Sequence, residues 1–249
     1  MKRYLSLVKF SHTIFALPFA FIGFYLGLID TPEVSRGLEL GALVLLSMVF
    51  ARTAAMAFNR FLDRDIDGLN PRTAGREIPS GKVSPTSALI LTLISSGLFI
   101  AGTYFINPLC FYLSPVALLV VLGYSYTKRF TSASHFVLGL GLALAPLGAY
   151  LAVTGVFALL PLLLSILVLT WVTGFDILYA LQDEKFDQHM GLKSIPVALG
   201  AKGAIQLSNA LHIITAIIIA IVGYLFWNSE GPIQMVFAVA SVLFTFLLY

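Results

Sequence analysis

The chain has 249 residues, 59% of them hydrophobic and only 11% charged, with a mean hydropathy of +0.94. That balance excludes an ordinary soluble domain and reads as an all-α integral membrane protein, one domain over residues 1–249 with the lipid bilayer as its surroundings. The formal charge of +3 is small and localised, which argues for sidedness in a membrane and against nucleic acid as a partner. The single cysteine, Cys110, excludes an internal disulfide.

A hydrocarbon core takes about 20 apolar residues per helix. By that measure eight spans are expected, at 11–30, 38–60, 84–106, 108–126, 135–154, 158–182, 203–227 and 231–249. The first apolar run follows Lys9 without a small-residue cleavage site, so it is read as a retained span and not a signal peptide. Turn chemistry marks the joints: Thr31-Pro32, Ser84-Pro85, Asn107-Pro108 and Gly231-Pro232.

Charge orients this bundle. Of the 15 Lys and Arg, all but Arg36 and Arg52 lie at the N-terminus or around the loops after the second, fourth and sixth spans. The positive-inside rule places those segments in the cytoplasm, so the expected location is the bacterial cytoplasmic membrane, multi-pass.

Two charged stretches interrupt the apolar chain. The first, NRFLDRDIDGLNPRTAGREIPSGK, runs from Asn59 to Lys82. Asn59, Asp63 and Asp67 are spaced four apart, so a helix continuing through them projects all three from one face. A row of hard oxygens suits Mg²⁺, which is commonly completed by waters and substrate phosphates. Arg72, Arg76 and Lys82 follow with charge-assisted donors for such phosphates.

The second stretch, DILYALQDEKFD, closes the sixth span. Asp176, Asp183 and Asp187 share a helical face with Tyr179 close by, and Asp176 lies inside the apolar segment, where an ionisable group is costly. Two such rows facing one another could each hold a Mg²⁺, bridged by one diphosphate. The alternative reading is of solvated loop acids paired with nearby bases. A faint parallel repeat links the rows, with Asp63-x-x-x-Asp67 before Arg76-Glu77-Ile78-Pro79 and Asp183-x-x-x-Asp187 before Lys193-Ser194-Ile195-Pro196. On that repeat Lys193 corresponds to Arg76 as a diphosphate ligand; chance similarity of two polar loops at equivalent depths is the alternative.

These motifs resemble those of the UbiA-type intramembrane aromatic prenyltransferases, the family typified by 4-hydroxybenzoate polyprenyltransferase. Its first motif, Asn/Asp-Asp-x-x-Asp-x-x-x-Asp, is met here by NRFLDRDID, and its second by DILYALQDEKFD. Arg60 stands where many members carry the second acid, which leaves Asp65 as a substitute oxygen donor. Within the family, AFNRFLDRDIDGLNPRTAGREIPSGKVS is most similar to a bacterial subgroup associated with menaquinone made by the futalosine route.

The resemblance implies a nine-helix bundle around a cavity open to lipid. Only eight spans fit this sequence, so the ninth, C-terminal helix is expected to be absent or removed by truncation. It also implies Mg²⁺-dependent transfer of a polyprenyl group from its diphosphate to an aromatic acid, of hydroxybenzoate or dihydroxynaphthoate type, in quinone biosynthesis. Asn59, Asp63, Asp67, Asp183 and Asp187 would hold metal. Arg72, Arg76 and Lys193, joined by Lys128 and Arg129 of YTKRF, would hold the diphosphate, and Asp176 and Tyr179 would complete the catalytic set. A porphyrin or chlorin acceptor is an alternative within the family, and a cation-coupled transporter is the rival outside it.

Arg52 is the one base inside a span, with Asn59 seven residues on and nearly on the same face. Its expected partner is either Asp176, as a structural pair, or the carboxylate of the acceptor. Asn59 is placed beside it in the acceptor site. His12, near the end of the first span, is expected either to approach the acceptor or to sit at the membrane interface.

Overall fold

The computed structural model describes residues 6, 7 and 13–227, without side chains at 13–15, 226 and 227. His12 and the expected span 231–249 lie outside the described residues. Within them the chain is a helical bundle: α1 (Thr13–Asp30), α2 (Gly37–Leu62), α3 (Arg64–Leu69), α4 (Pro85–Ile106), α5 (Pro108–Thr127), α6 (Ser134–Thr154), α7 (Leu159–Ala180), a 3₁₀ turn (Leu181–Asp183), α8 (Glu184–His189) and α9 (Ile195–Trp227). The other expected spans each coincide with a helix, and among the described residues six stretches are long and apolar enough to cross a membrane.

Local chemistry sets the helix ends. Ser84 and Asn107 cap α4 and α5, their side chains accepting from the backbone N–H groups of Ser87 at 3.1 Å and Cys110 at 2.8 Å, each with Pro in the first turn. The Asn107 amide also donates to the Leu151 carbonyl at 2.8 Å, tying the α4–α5 joint to the end of α6. The last helix begins eight residues before the expected 203, and Gly200, at φ 68° and ψ 169°, breaks it there.

In lipid, apolar burial supplies little drive for helices to associate, so close backbone approach at small residues matters more. A Cβ on Gly23 of α1 would run into the backbone of Pro146 in α6, reaching its carbonyl carbon at 2.7 Å. A Cβ on Gly139 of α6 would come within 2.7 Å of the Leu169 carbonyl oxygen in α7, and one on Gly174 of α7 within 2.8 Å of His212 Nε2 in α9. These contacts tie α1, α6, α7 and α9 into one side of the bundle, filled by Leu26, Ala143, Tyr150, Val168 and Val222. On the other side α2 packs on α4 and α5.

The two acidic stretches have one backbone design. Asp63, at φ −88° and ψ 1°, precedes the six-residue α3, and Asp183, at φ −106° and ψ 2°, precedes the six-residue α8. The basic halves of the sequence repeat are not equivalent. Arg76-Glu77-Ile78-Pro79 lies in the loop after α3, whereas Ser194-Ile195-Pro196 opens α9. In structure the counterpart of Ser194 is Ser84, since the side chain of each accepts from a backbone N–H three residues on, at Val197 and Ser87.

Candidate functional site

Both acidic stretches lie at one end of the bundle and touch. The helical ladder continues across Asp63, with the Asp63 N–H donating to Asn59 O at 2.9 Å and the Asp67 N–H to Asp63 O at 2.7 Å. This puts Asn59, Asp63 and Asp67 in one row, and the Asn59 amide donates to Asp63 Oδ2 at 2.9 Å. Asp65 does not join them. Its side chain is 81% exposed and lies 3.7 Å from Arg64, so the substitute donor expected from the Arg60 position is turned away.

Asp63 and Asp67 are almost fully buried, at 1% and 4% exposure, which a carboxylate tolerates only with charge partners. Lys128 Nζ lies 2.6 Å from Asp63 Oδ2, and Arg129 Nη2 3.4 Å from Oδ1. Arg76 Nη1 reaches both oxygens of Asp67, at 2.6 and 2.8 Å. From the same loop Arg72 crosses to the second stretch, where its Nε donates to Asp183 Oδ1 at 3.0 Å and its Nη2 to Oδ2. The Asn70 amide adds a bond to Asp183 Oδ1 at 3.2 Å. This hydrogen-bonded carboxylate holds the Arg72 guanidinium above its ordinary pKa. Arg72 also donates to Tyr179 Oη at 3.1 Å and stands 5.5 Å from that ring's centre.

Asp187 is half-buried beside Ser194, within electrostatic reach of Asp183, Lys128 and His135. Lys193 contributes by its backbone, donating its N–H to the Lys128 carbonyl at 2.7 Å while its side chain is exposed. That bond clips the loop after α8 onto the loop after α5. Four of the five expected diphosphate ligands, Arg72, Arg76, Lys128 and Arg129, thus stand on the acids themselves.

Beside this charged end lies a cavity of about 570 Å³, walled by α2, α4, α5, α6 and α7 with Ala16 of α1. Its α2 wall runs from Val44 to Met56, roughly 18 Å along the axis at 1.5 Å per residue. Leu113, Ala117, Leu138, Leu142, Ala145 and Leu151 are typical of its lining, and the charged side chains in it are Arg52 and Asp176. Met56 of the lining is three residues before Asn59, and Asp176 three before Tyr179, so the cavity ends about one helical turn from the paired charges.

Arg52 has no carboxylate within ion-pair distance among the described residues, and its Nε is buried without a hydrogen-bond partner. Asp176 is not its partner: no ion pair joins the two, and Asp176 Oδ2 lies 2.7 Å from His135 Nδ1 instead. His135, the one histidine of its helix and without metal-ligand spacing to another, carries no sign of this role in the sequence. Tyr124 lines the cavity, and its neighbour Ser125 accepts from Asn59 at 3.4 Å.

The donor set fits Mg²⁺: oxygens only, presented by Asn59, Asp63, Asp67, Asp183 and Asp187 from facing segments. Among the described residues no three acids or histidines converge into a closed cage, and an ion that keeps waters and substrate phosphates in its shell needs none.

The chain is 33% identical over 174 residues to 4-hydroxybenzoate octaprenyltransferase of Aeromonas hydrophila subsp. hydrophila, covering 70% of this chain and 60% of that protein. It is 35% identical over 158 residues to the enzyme of that name from Aliivibrio salmonicida, covering 63% and 55%. The chain therefore spans about three-fifths of the length of the curated relatives it matches. Among solved structures, the apo structure of a UbiA homolog from Aeropyrum pernix K1 superposes with a TM-score of 0.83 at 33% identity, over 95% of this chain and 85% of that one. A UbiA homolog from Archaeoglobus fulgidus bound to DMAPP and Mg²⁺ superposes with a TM-score of 0.77 at 26% identity, over 98% and 86%. The profile of the UbiA prenyltransferase family matches residues 16–249, nearly the whole chain, and with the shared bundle this establishes that the chain belongs to that family.

Proposed function

We propose that this protein transfers a polyprenyl group from its diphosphate to an aromatic acid, with Mg²⁺ as cofactor. The observation that carries this reading is the junction of two environments within one helical turn: interleaved acids and bases at one end, and a long apolar cavity holding a single arginine and a single aspartate beside it.

Asn59, Asp63, Asp67, Asp183 and Asp187 would hold Mg²⁺, which when bound supplies positive charge to the departing diphosphate. Arg72, Arg76, Lys128 and Arg129 would bind the diphosphate oxygens with charge-assisted hydrogen bonds. The isoprenoid tail lies in the apolar cavity, whose walls keep water from the allylic cation left when the C1–O bond breaks. The Tyr179 ring, already against a guanidinium, offers its face to that positive charge. An electron-rich ring attacks C1, forms the C–C bond and loses a proton.

Arg52 binds the acceptor carboxylate. With Asp176 bonded to His135, the Arg52 guanidinium has no acid partner among the described residues, and its planar fork suits a bidentate anion. The names of the relatives favour a hydroxybenzoate, and the similarity of the first motif to the menaquinone subgroup favours a dihydroxynaphthoate. Both are aromatic acids with a ring hydroxyl. The distribution of Lys and Arg supports a charged end that faces the cytoplasm of a bacterial inner membrane.

The test is incubation of the purified full chain with Mg²⁺, labelled prenyl diphosphates and a panel of phenolic and naphthoic acids. A prenylated acid formed only with divalent metal is the expected result. No coupled product with any acceptor, together with ion flux in proteoliposomes, would overturn the reading in favour of a transporter.

A further inference from the structure

His135 is 5% exposed and lies in the first turn of α6. Its two ring nitrogens face different partners. The backbone N–H of Ile195 donates to Nε2 at 3.3 Å, so Nε2 is the acceptor and the ring proton is on Nδ1. Nδ1 then donates to Asp176 Oδ2 at 2.7 Å. The ring is held on both sides. Gly139, one turn further along α6, lets α6 approach the backbone of α7, and Thr173 Oγ1 donates to the His135 carbonyl at 3.4 Å.

Asp176 has one oxygen committed and one free. No hydrogen bond among the described residues engages Oδ1, and the side chain, 28% exposed, lines the cavity. An arginine partner would have covered both oxygens with its planar fork, but a single imidazole N–H covers only one. The imidazole therefore fixes the direction of the carboxylate without closing it to a ligand. Arg52, in the same cavity, takes a carboxylate in the reading given above, and a ring acid with a hydroxyl has one further polar group to place.

We propose that His135 is a positioning residue, which orients Asp176 so that its free oxygen accepts a hydrogen bond from the ring hydroxyl of the aromatic acceptor. The pair thereby selects hydroxylated rings. This inference deepens the proposed function and rests on it for the identity of the ligand class. A site that aims a buried acceptor at a hydroxyl rejects analogues that cannot donate, because the oxygen is then left unpaired.

The experiment is equilibrium binding by calorimetry, on the full chain in lipid nanodiscs, of 4-hydroxybenzoate and of 4-methoxybenzoate, which has no hydroxyl proton. Three variants separate the roles of the ring. His135→Asn places an amide N–H₂ near the position of Nδ1 and so keeps the bond to Asp176. His135→Gln places its amide near Nε2 and keeps the bond to Ile195. His135→Leu keeps neither.

Wild type and His135→Asn should prefer the hydroxy acid by about 10-fold or more, while His135→Gln and His135→Leu should bind the two acids within about twofold of each other. A purely structural histidine reverses the pattern, with Gln restoring wild-type binding and Asn not, and that result would overturn the inference. Loss of discrimination in neither Gln nor Asn overturns it too, even if the Leu protein does not fold. So does a wild type that binds both acids equally. Turnover is scored separately. Hydroxyl-dependent binding without prenyl transfer counts against the proposed function alone, and prenyl transfer with discrimination indifferent to His135 counts against this inference alone.

Discussion

Arg72 and Asp183, 111 positions apart in sequence, form a two-pronged ion pair that joins the loop after α3 to the end of α7. Its consequence for stability is a coupling between the two halves of the site. Arg72→Met and Asp183→Asn should each lower the melting temperature, and the double variant should lose less than the two together. The coupling should be about 1 kcal/mol, kept small because the Arg72 side chain is 35% exposed. Strictly additive losses in detergent melts would show that the contact holds nothing together.

The acids should matter to turnover through metal. Asp63→Asn, Asp67→Asn, Asp183→Asn and Asp187→Asn keep side-chain shape but remove charge, and each should reduce kcat by about 100-fold or more. EDTA should do the same to the wild-type protein, with recovery on adding Mg²⁺. Wild-type rates in chelator would refute the metal-bridged diphosphate. Asp63→Asn should also melt earlier, since Lys128 and Arg129 both lose their counter-charge, at 2.6 and 3.4 Å.

Arg52→Lys exchanges a planar fork for a point charge in an apolar cavity. The acceptor KM should rise roughly 10-fold, as expected for loss of one charge-assisted hydrogen bond, while the KM for prenyl diphosphate stays within twofold. Steady-state kinetics with each substrate varied in turn would read this. Equal rises in both values would remove Arg52 from the acceptor site.

Ser80 and Gln188 are both exposed, one on each charged loop, and the Arg72–Asp183 pair holds those loops together. After Cys110→Ser, cysteines placed at the two positions should react with a membrane-impermeant thiol reagent only when it is added from the cytoplasmic side. Reaction from opposite sides would be incompatible with one shared site.

Gly23 is a packing position, not a hinge. A methyl group there would strike the Pro146 backbone, which cannot move aside as a side chain can, so Gly23→Ala should force α1 from α6. The expected cost is about 1–3 kcal/mol, seen as a lower melting temperature. An unchanged melt would mean that α1 contributes no stability at this contact.

The sequence alone determined the element list and the chemical inventory. Runs of about 20 apolar residues have few alternatives to helices, because a bilayer offers no water to satisfy an open backbone. The four-residue spacing of Asn59, Asp63 and Asp67 forces one face on any helix that contains them, and the structure has that row. Local codes also sufficed at Ser84-Pro85 and Asn107-Pro108, where cap and proline act within a single turn.

Tertiary structure decided who pairs with whom. Spacing could not reveal that Arg72 serves the second stretch while Arg76 serves the first, since both lie in one loop and only its path separates them. Nor could it assign Asp176 to His135 and leave Arg52 without an acid among the described residues. The positions 135 and 176 meet because α6 and α7 approach closely at Gly139, and a contact between helices leaves no periodic trace within either one. The match of Arg76-Glu77-Ile78-Pro79 with Lys193-Ser194-Ile195-Pro196 carries no shared backbone, since the first lies in a loop while Ser194-Ile195-Pro196 opens α9, whereas Asp63 and Asp183 each precede a six-residue helix.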